Sequence, residues 1–143
     1  MKLSTKSTYG LRAMLAISLS ESGGVTSIAD ISKAEGISVP YLEQLLNRLR
    51  RKGLIESIRG PKGGYVLSKP PKRITVGEIV KALEGNISPV HCVAAGKGIK
   101  SICKKESSCA PRVVWARLAN AIDECLESIT LEDLRGEAEK AMR

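Results

Sequence analysis

Residues Ser38 to Leu67 read SVPYLEQLLNRLRRKGLIESIRGPKGGYVL. Leu42, Leu45, Leu46 and Leu49 recur at steps of three, one and three, which makes one apolar stripe on a helix predicted from Val39 to Lys52. The other face carries Glu43, Gln44, Asn47, Arg48, Arg50 and Arg51. Gly53 follows, the residue that most easily closes a helix in the left-handed conformation. Two short runs, Leu54 to Ile58 and Tyr65 to Leu67, then flank Arg59-Gly60-Pro61-Lys62-Gly63-Gly64. β-branched and aromatic residues around a Gly/Pro tip predict a hairpin. A polar-faced helix followed at once by a cationic hairpin is the plan of a winged helix-turn-helix.

The stretch before it completes that plan. A first helix is expected over Ser7 to Ser20, with Leu11, Met14, Leu15, Ser18 and Leu19 on its buried face, and Gly23-Gly24 stops it. Thr26 to Asp30 opens a second helix, with Ser27 and Asp30 spaced as a capping box. It ends at Gly36, and Ser38 caps the third. In such a unit the third helix enters the major groove of DNA N-terminus first. The residues placed to reach bases beside the capping Ser38 are Pro40, Tyr41, Glu43 and Gln44, although Tyr41 suits packing equally well. Gln pairs with adenine and Glu accepts from cytosine, each worth roughly 1–3 kcal/mol of discrimination. Arg48, Arg50, Arg51 and Lys52 are expected to meet phosphate. At the hairpin tip Arg59 and Lys62 suit a minor groove or phosphates, and Gly60, Gly63 and Gly64 allow a sharp turn and close approach.

Charge placement agrees. Residues 1–75 carry 13 Lys/Arg against 5 Asp/Glu, and residues 76–143 carry 10 of each, so the net charge of +8 lies wholly in the first half. Such asymmetry is a nucleic-acid footprint. No apolar run approaches the roughly 18 residues of a membrane span. The opening Met1-Lys2-Leu3-Ser4-Thr5-Lys6 lacks a signal-peptide core. A soluble, cytoplasmic protein binding double-stranded DNA, with no membrane partner, is expected.

Beyond the hairpin, Pro70-Pro71 reads as a stiff connector. Thr75 and Glu78 are spaced as another capping box, opening a helix through Ile79, Val80 and Leu83 that closes at Gly85. Residues 86–110 break the periodicity. Pro111 then starts a helix whose apolar stripe is Val114, Leu118, Ile122, Cys125 and Ile129. If the winged-helix core is closed by the N-terminal elements, this long stripe is left for a second copy of the chain, making a homodimer, with docking back on the same chain as the alternative. Thr130 to Asp133 caps a last short helix, with a tail from Glu137 expected to fray. The division expected is a DNA-binding region, 1–75, and a helical dimerisation region, 76–143.

The aperiodic stretch contains Cys92, Cys103 and Cys109, with Gly, Ala, Lys and Ser between them. Zinc usually takes a Cys-x-x-Cys knuckle, which is missing. Iron–sulfur clusters accept looser spacing and want thiolates. Lys97, Lys100, Lys104 and Lys105 favour the thiolate form. Three unrelated reduced cysteines and a metal-free redox switch are the alternatives. A cluster wants a fourth ligand, for which His91 is a candidate; Cys125 fits better as a small buried hydrophobe. Catalysis is not expected, given one His and no converging carboxylates.

The segments STKSTYGLRAML (Ser4 to Leu15) and YLEQLLNRLRRKGLIESIRGPKGGYVL (Tyr41 to Leu67), with the three cysteines followed by Trp115, resemble the IscR-like branch of the Rrf-type regulator family, whose relatives include NsrR and CymR. The resemblance implies a homodimeric winged-helix regulator of palindromic promoters, commonly a repressor of cluster-assembly genes. It implies that Cys92, Cys103 and Cys109 hold an iron–sulfur cluster, 2Fe–2S in that branch, and that Glu43, Gln44 and Arg59 contact bases or the minor groove. Two positions depart from the pattern. Arg112 stands where that branch has a His ligand, and Thr8 stands where NsrR-like members have an acid. A cofactor-free repressor controlled by a partner protein, as in CymR, is the second reading.

Overall fold

The computed structural model describes residues 3–20, 24–89 and 109–142. Its elements are helices α1 (Thr5–Ser18), α2 (Ile28–Glu35) and α3 (Val39–Arg51), strands β1 (Ile55–Ile58) and β2 (Gly64–Leu67), then α4 (Val76–Glu84), α5 (Arg112–Ser128) and α6 (Leu131–Ala141). It is mainly helical with a two-stranded antiparallel hairpin, a winged helix-turn-helix.

Helix starts are set by side chains that satisfy otherwise orphaned amides. Ser4, Ser27, Ser38, Thr75 and Thr130 each accept a backbone N–H from two or three residues on. Such a cap is typically worth about 1 kcal/mol. At Thr130 the reciprocal bond from the Thr130 amide to the Asp133 carboxylate completes a capping box. At Thr75 the hydroxyl half forms, while the Glu78 carboxylate pairs with Lys69 at 3.2 Å.

The leucine stripe of α3 lies at the centre of the core. Leu42, Leu45, Leu46 and Leu49 are buried together with Ala13, Met14 and Ile17 of α1, Ile31 of α2 and Ile55 of β1. The buried face of α1 is turned from the expected one. Met14 and Ser18 are buried as expected, but Ser7, Gly10, Ala13 and Ile17 take the places assigned to Leu11, Leu15 and Leu19, which are half-buried. The reason is α4: Leu83 sits so close to Gly10 that a Cβ there would collide with it. The core also extends past the expected closure, taking in Ile74, Ile79, Leu83 and the fully buried Leu131 of α6.

Two backbone pairings tie distant segments to this core. Thr26 exchanges bonds with Tyr65 at 3.0 and 2.8 Å, adding a short third rung to the hairpin. Ile129 accepts from the Val76 amide, and the Leu131 amide donates to Ile74, both at 2.8 Å. That second pairing fixes the start of α6, which runs on to Ala141 without the fraying expected from Glu137. The connector after the hairpin is a 3-10 turn, Pro71–Arg73.

α5 differs from the rest: none of its residues is buried. A polar clamp holds it to α4. Lys81 lies 2.6 Å from Asp123 and 3.1 Å from Glu127, and the Thr75 hydroxyl donates to Glu127 at 2.8 Å. Among the described residues no helix is long and apolar enough to cross a membrane.

Candidate nucleic-acid interface

The first turns of α3 present what sequence reasoning placed there. Pro40 sits in the first turn, where a missing N–H costs nothing. Ser38, Pro40, Glu43 and Gln44 are exposed, with the buried leucines behind them. Tyr41 is half-buried. Its hydroxyl lies 3.2 Å from Thr5 Oγ1, and its ring meets Tyr9 edge-on, centroids 5.9 Å apart. The structure thus gives Tyr41 a packing role.

Further along, the basic residues divide. Arg48 donates from Nη1 to the Leu83 carbonyl at 3.0 Å, in the last turn of α4, so it joins two helices while remaining exposed. Arg50 donates to Asn47 at 2.8 Å. Arg51 and Lys52 are exposed at the end of α3.

The wing follows from Leu54, whose amide still reaches the Leu49 carbonyl at 3.1 Å. β1 and β2 pair in the register Ile55 to Leu67 through Ile58 to Gly64. At the tip, Gly60 has a φ of 114°, a conformation that L side chains rarely adopt. Gly64 is needed for space instead, since a Cβ there would strike the backbone of Thr26. Gly63 donates to the Gly60 carbonyl at 2.9 Å and closes the turn. Arg59, Gly60 and Lys62 are left exposed, and Gly63 half-buried.

The cysteine loop is described in part. Cys109 is a free, half-buried thiol three residues ahead of α5, and Cys125 is free and exposed rather than buried as expected. Cys125 shares the side of α5 on which Val114 and Leu118 are also exposed. Cys92, Cys103 and the candidate ligand His91 lie outside the described residues. Among the described residues no group of three His, Cys, Asp or Glu side chains is placed to hold a metal ion.

Glu84 escaped sequence reasoning. Its Oε1 accepts from the Ser4 amide at 3.0 Å, the Ser4 hydroxyl at 2.5 Å and the Ser7 hydroxyl at 2.8 Å. Burial alone would push the carboxyl up; the serine bonds outweigh it and hold the group below its ordinary range. The end of α4 therefore fixes the start of α1, and through Arg48 it is also joined to α3. No local pattern announces a pairing across this sequence separation.

A profile of the Rrf2 family, described as iron-dependent transcriptional regulators, matches residues 3–137. The chain is 42% identical over 134 residues to the HTH-type transcriptional regulator CymR of Bacillus subtilis strain 168, covering 94% of this chain and 89% of that protein. It is 40% identical over 134 residues to the HTH-type transcriptional regulator IscR of Escherichia coli K12, covering 94% and 80%. The solved structure of the same CymR, described as the global cysteine regulator of B. subtilis, superposes with a TM-score of 0.79 at 40% identity, over 96% of this chain and 98% of that one. The solved T. potens IscR gives 0.78 at 36% identity, over 100% and 92%. The chain belongs to the Rrf2 family and is a DNA-binding transcription regulator. Its similarity to IscR and to CymR is nearly equal, so overall likeness does not choose between them.

Proposed function

We propose that this regulator is a cytoplasmic homodimer, acting mainly as a repressor, that reads promoter DNA with α3 and its wing and senses iron–sulfur cluster status, with cluster-assembly genes among its targets. Ser38, Pro40, Glu43 and Gln44 face the major groove, with Tyr41 bracing the start of the helix. Arg59, Gly60, Lys62 and Gly63 approach the minor groove, and the outward edge of Arg48 adds a phosphate contact. The observation that supports this most is the exposure of the polar start of α3 over a fully buried leucine stripe, followed by a wing whose tip leaves two cations in solvent.

Cys92, Cys103 and Cys109 are the proposed cluster ligands, 2Fe–2S by resemblance to IscR, with His91 a candidate fourth. The donor set fits in chemistry: three thiols on one segment, of which Cys109 is free and partly accessible beside α5. A bound cluster would supply sensitivity to iron and oxidants. The chain's part is to carry that signal. Its cysteine segment runs between α4, which touches α1 and α3, and α5, which bears the bare apolar stripe. A stripe exposing Val114 (58%), Leu118 (41%) and Cys125 supports a second copy as its cover.

Anaerobic purification followed by iron and sulfide analysis tests the cluster. A coloured protein holding both, with Cys92→Ala colourless and altered in operator choice, is expected. Protein that stays colourless after reconstitution, with Cys92→Ala binding DNA like the parent, leaves the cofactor-free, partner-controlled reading that the likeness to CymR favours. Arg59→Ala is expected to weaken operator binding by at least tenfold, about 1.4 kcal/mol, in either case.

A further inference from the structure

The DNA-facing surface does not end with α3 and the wing. α1 contains Lys6 and Arg12 and no acidic residue. Thr5, Thr8 and Arg12 are exposed and spaced three and four apart, so they share one face of the helix. That face adjoins the first turn of α3. Thr5 Oγ1 lies 3.2 Å from the Tyr41 hydroxyl, Tyr9 meets Tyr41 at a ring distance of 5.9 Å, and the Arg12 guanidinium lies 5.8 Å from the Tyr9 ring centre. Tyr41 is thus the hinge pin between the base-reading turn and a polar strip ending in a cation. Stacking on a ring orients a guanidinium while leaving its N–H edges for an acceptor. Glu84 engages Ser4 and Ser7, so its charge is held by hydroxyls of the first turn other than Thr5 and Thr8.

We propose that Thr5, Thr8 and Arg12 form a phosphate-binding shelf that grips the DNA backbone flanking the bases read by α3, with Tyr9 and Tyr41 as positioning residues. The ligand is the phosphodiester chain, and the contact carries no sequence preference. This rests on the reading of α3 and the wing as the DNA reader.

A phosphate contact has a signature that base contacts lack. Its loss weakens binding to all sequences alike and lowers the salt slope by about one per protomer. Between 50 and 200 mM salt, one lost contact changes the affinity ratio by about threefold. The test uses full-length protein, a duplex it selects from a randomised pool, and an unselected duplex, both followed by fluorescence anisotropy from 50 to 200 mM salt. Arg12→Gln, present in both protomers, should weaken both duplexes by the same factor, about three- to tenfold at low salt, and lower the slope by about two per dimer. Arg12→Lys should keep the slope. Circular dichroism checks that each variant folds. If Arg12→Gln leaves affinity and slope unchanged while Arg59→Ala and Gln44→Ala lower affinity for the selected duplex, the shelf is wrong and the reader stands. If all three variants bind like the parent, the reader itself is misplaced and the shelf goes with it.

Discussion

Helices α3 and α5 have similar lengths, 13 and 17 residues, and similar apolar repeats, yet they are used in opposite ways. α3 buries Leu42, Leu45, Leu46 and Leu49 and offers its polar side outward. α5 buries nothing. It is fastened by its polar side, through Asp123 and Glu127, and offers its apolar side outward. At about 100° per residue, those two acids lie across the helix from Val114, Leu118 and Cys125. An apolar stripe therefore does not by itself say core. What decides is whether the same chain supplies the facing surface. For α3 it does, from α1, α2 and β1; for α5 the polar clamp uses up the near side, and the proposed second copy must supply the rest.

The largest expected effect lies in α3. Leu46 is fully buried, so Leu46→Ala should cost about 2–5 kcal/mol of unfolding free energy, read by chemical denaturation. That is a large share of the 5–15 kcal/mol typical of a domain. The matching change on α5, Leu118→Glu, should leave the body folded but weaken self-association at least tenfold, about 1.4 kcal/mol, seen in sedimentation velocity as a shift to monomer. If Leu118→Glu unfolds the chain while association is untouched, the contrast between the two helices is false.

The same contrast explains what the sequence made legible. The unit α1 to β2 could be read because each of its signals is local: the leucine spacing of α3, the serine caps at 27 and 38, the glycine tip of the wing. The exposure of Pro40, Glu43 and Gln44 came with it, since the exposed face of α3 is the complement of the buried one. The pairings of Thr26 with Tyr65 and of Thr75 with Thr130 could not be read, because Thr26, Thr75 and Thr130 lie at or beside helix caps and belong to no run with strand composition. Nor could the burial of Leu131, which follows from the second pairing. The turned face of α1 has the same origin: Gly10 is buried by Leu83, a residue far along the chain. The exposure of Cys125 was missed because a stripe predicts a covering and not who provides it.

Glu84 sharpens the comparison from within the body. Its carboxyl is held below its ordinary range, first against burial and then by Ser4 and Ser7. A group whose folded value is depressed contributes stability that is present above its unfolded value and is lost as pH falls through the folded one. The anchoring of α1 should therefore weaken on the acid side. Glu84→Gln should flatten the acid limb of the stability–pH curve and speed amide exchange in the first turn of α1, and should leave self-association unchanged. An acid limb identical to that of the parent protein would mean that the serines hold α1 without the charge.

The smallest effect belongs to the clamp on α5. The Lys81 ammonium is raised by its bond to Asp123 against a lowering by burial, with Glu127 adding to the rise. A raised group contributes stability that is fully present below its unfolded value, about 10.4, and is lost as pH climbs through the folded one. The partners are 45%, 53% and 36% exposed, so solvent screens them and Lys81→Met should cost only about 0–1 kcal/mol at neutral pH. Global denaturation will scarcely register that change. Amide exchange along α5 should, because Lys81 holds Asp123 and Glu127 of that helix to α4. Faster exchange in α5 with α3 unchanged would confirm that one helix is carried by charge and the other by leucines. Equal exchange in both helices would mean that the apolar stripe, once covered, holds α5 alone and that the clamp only sets its angle.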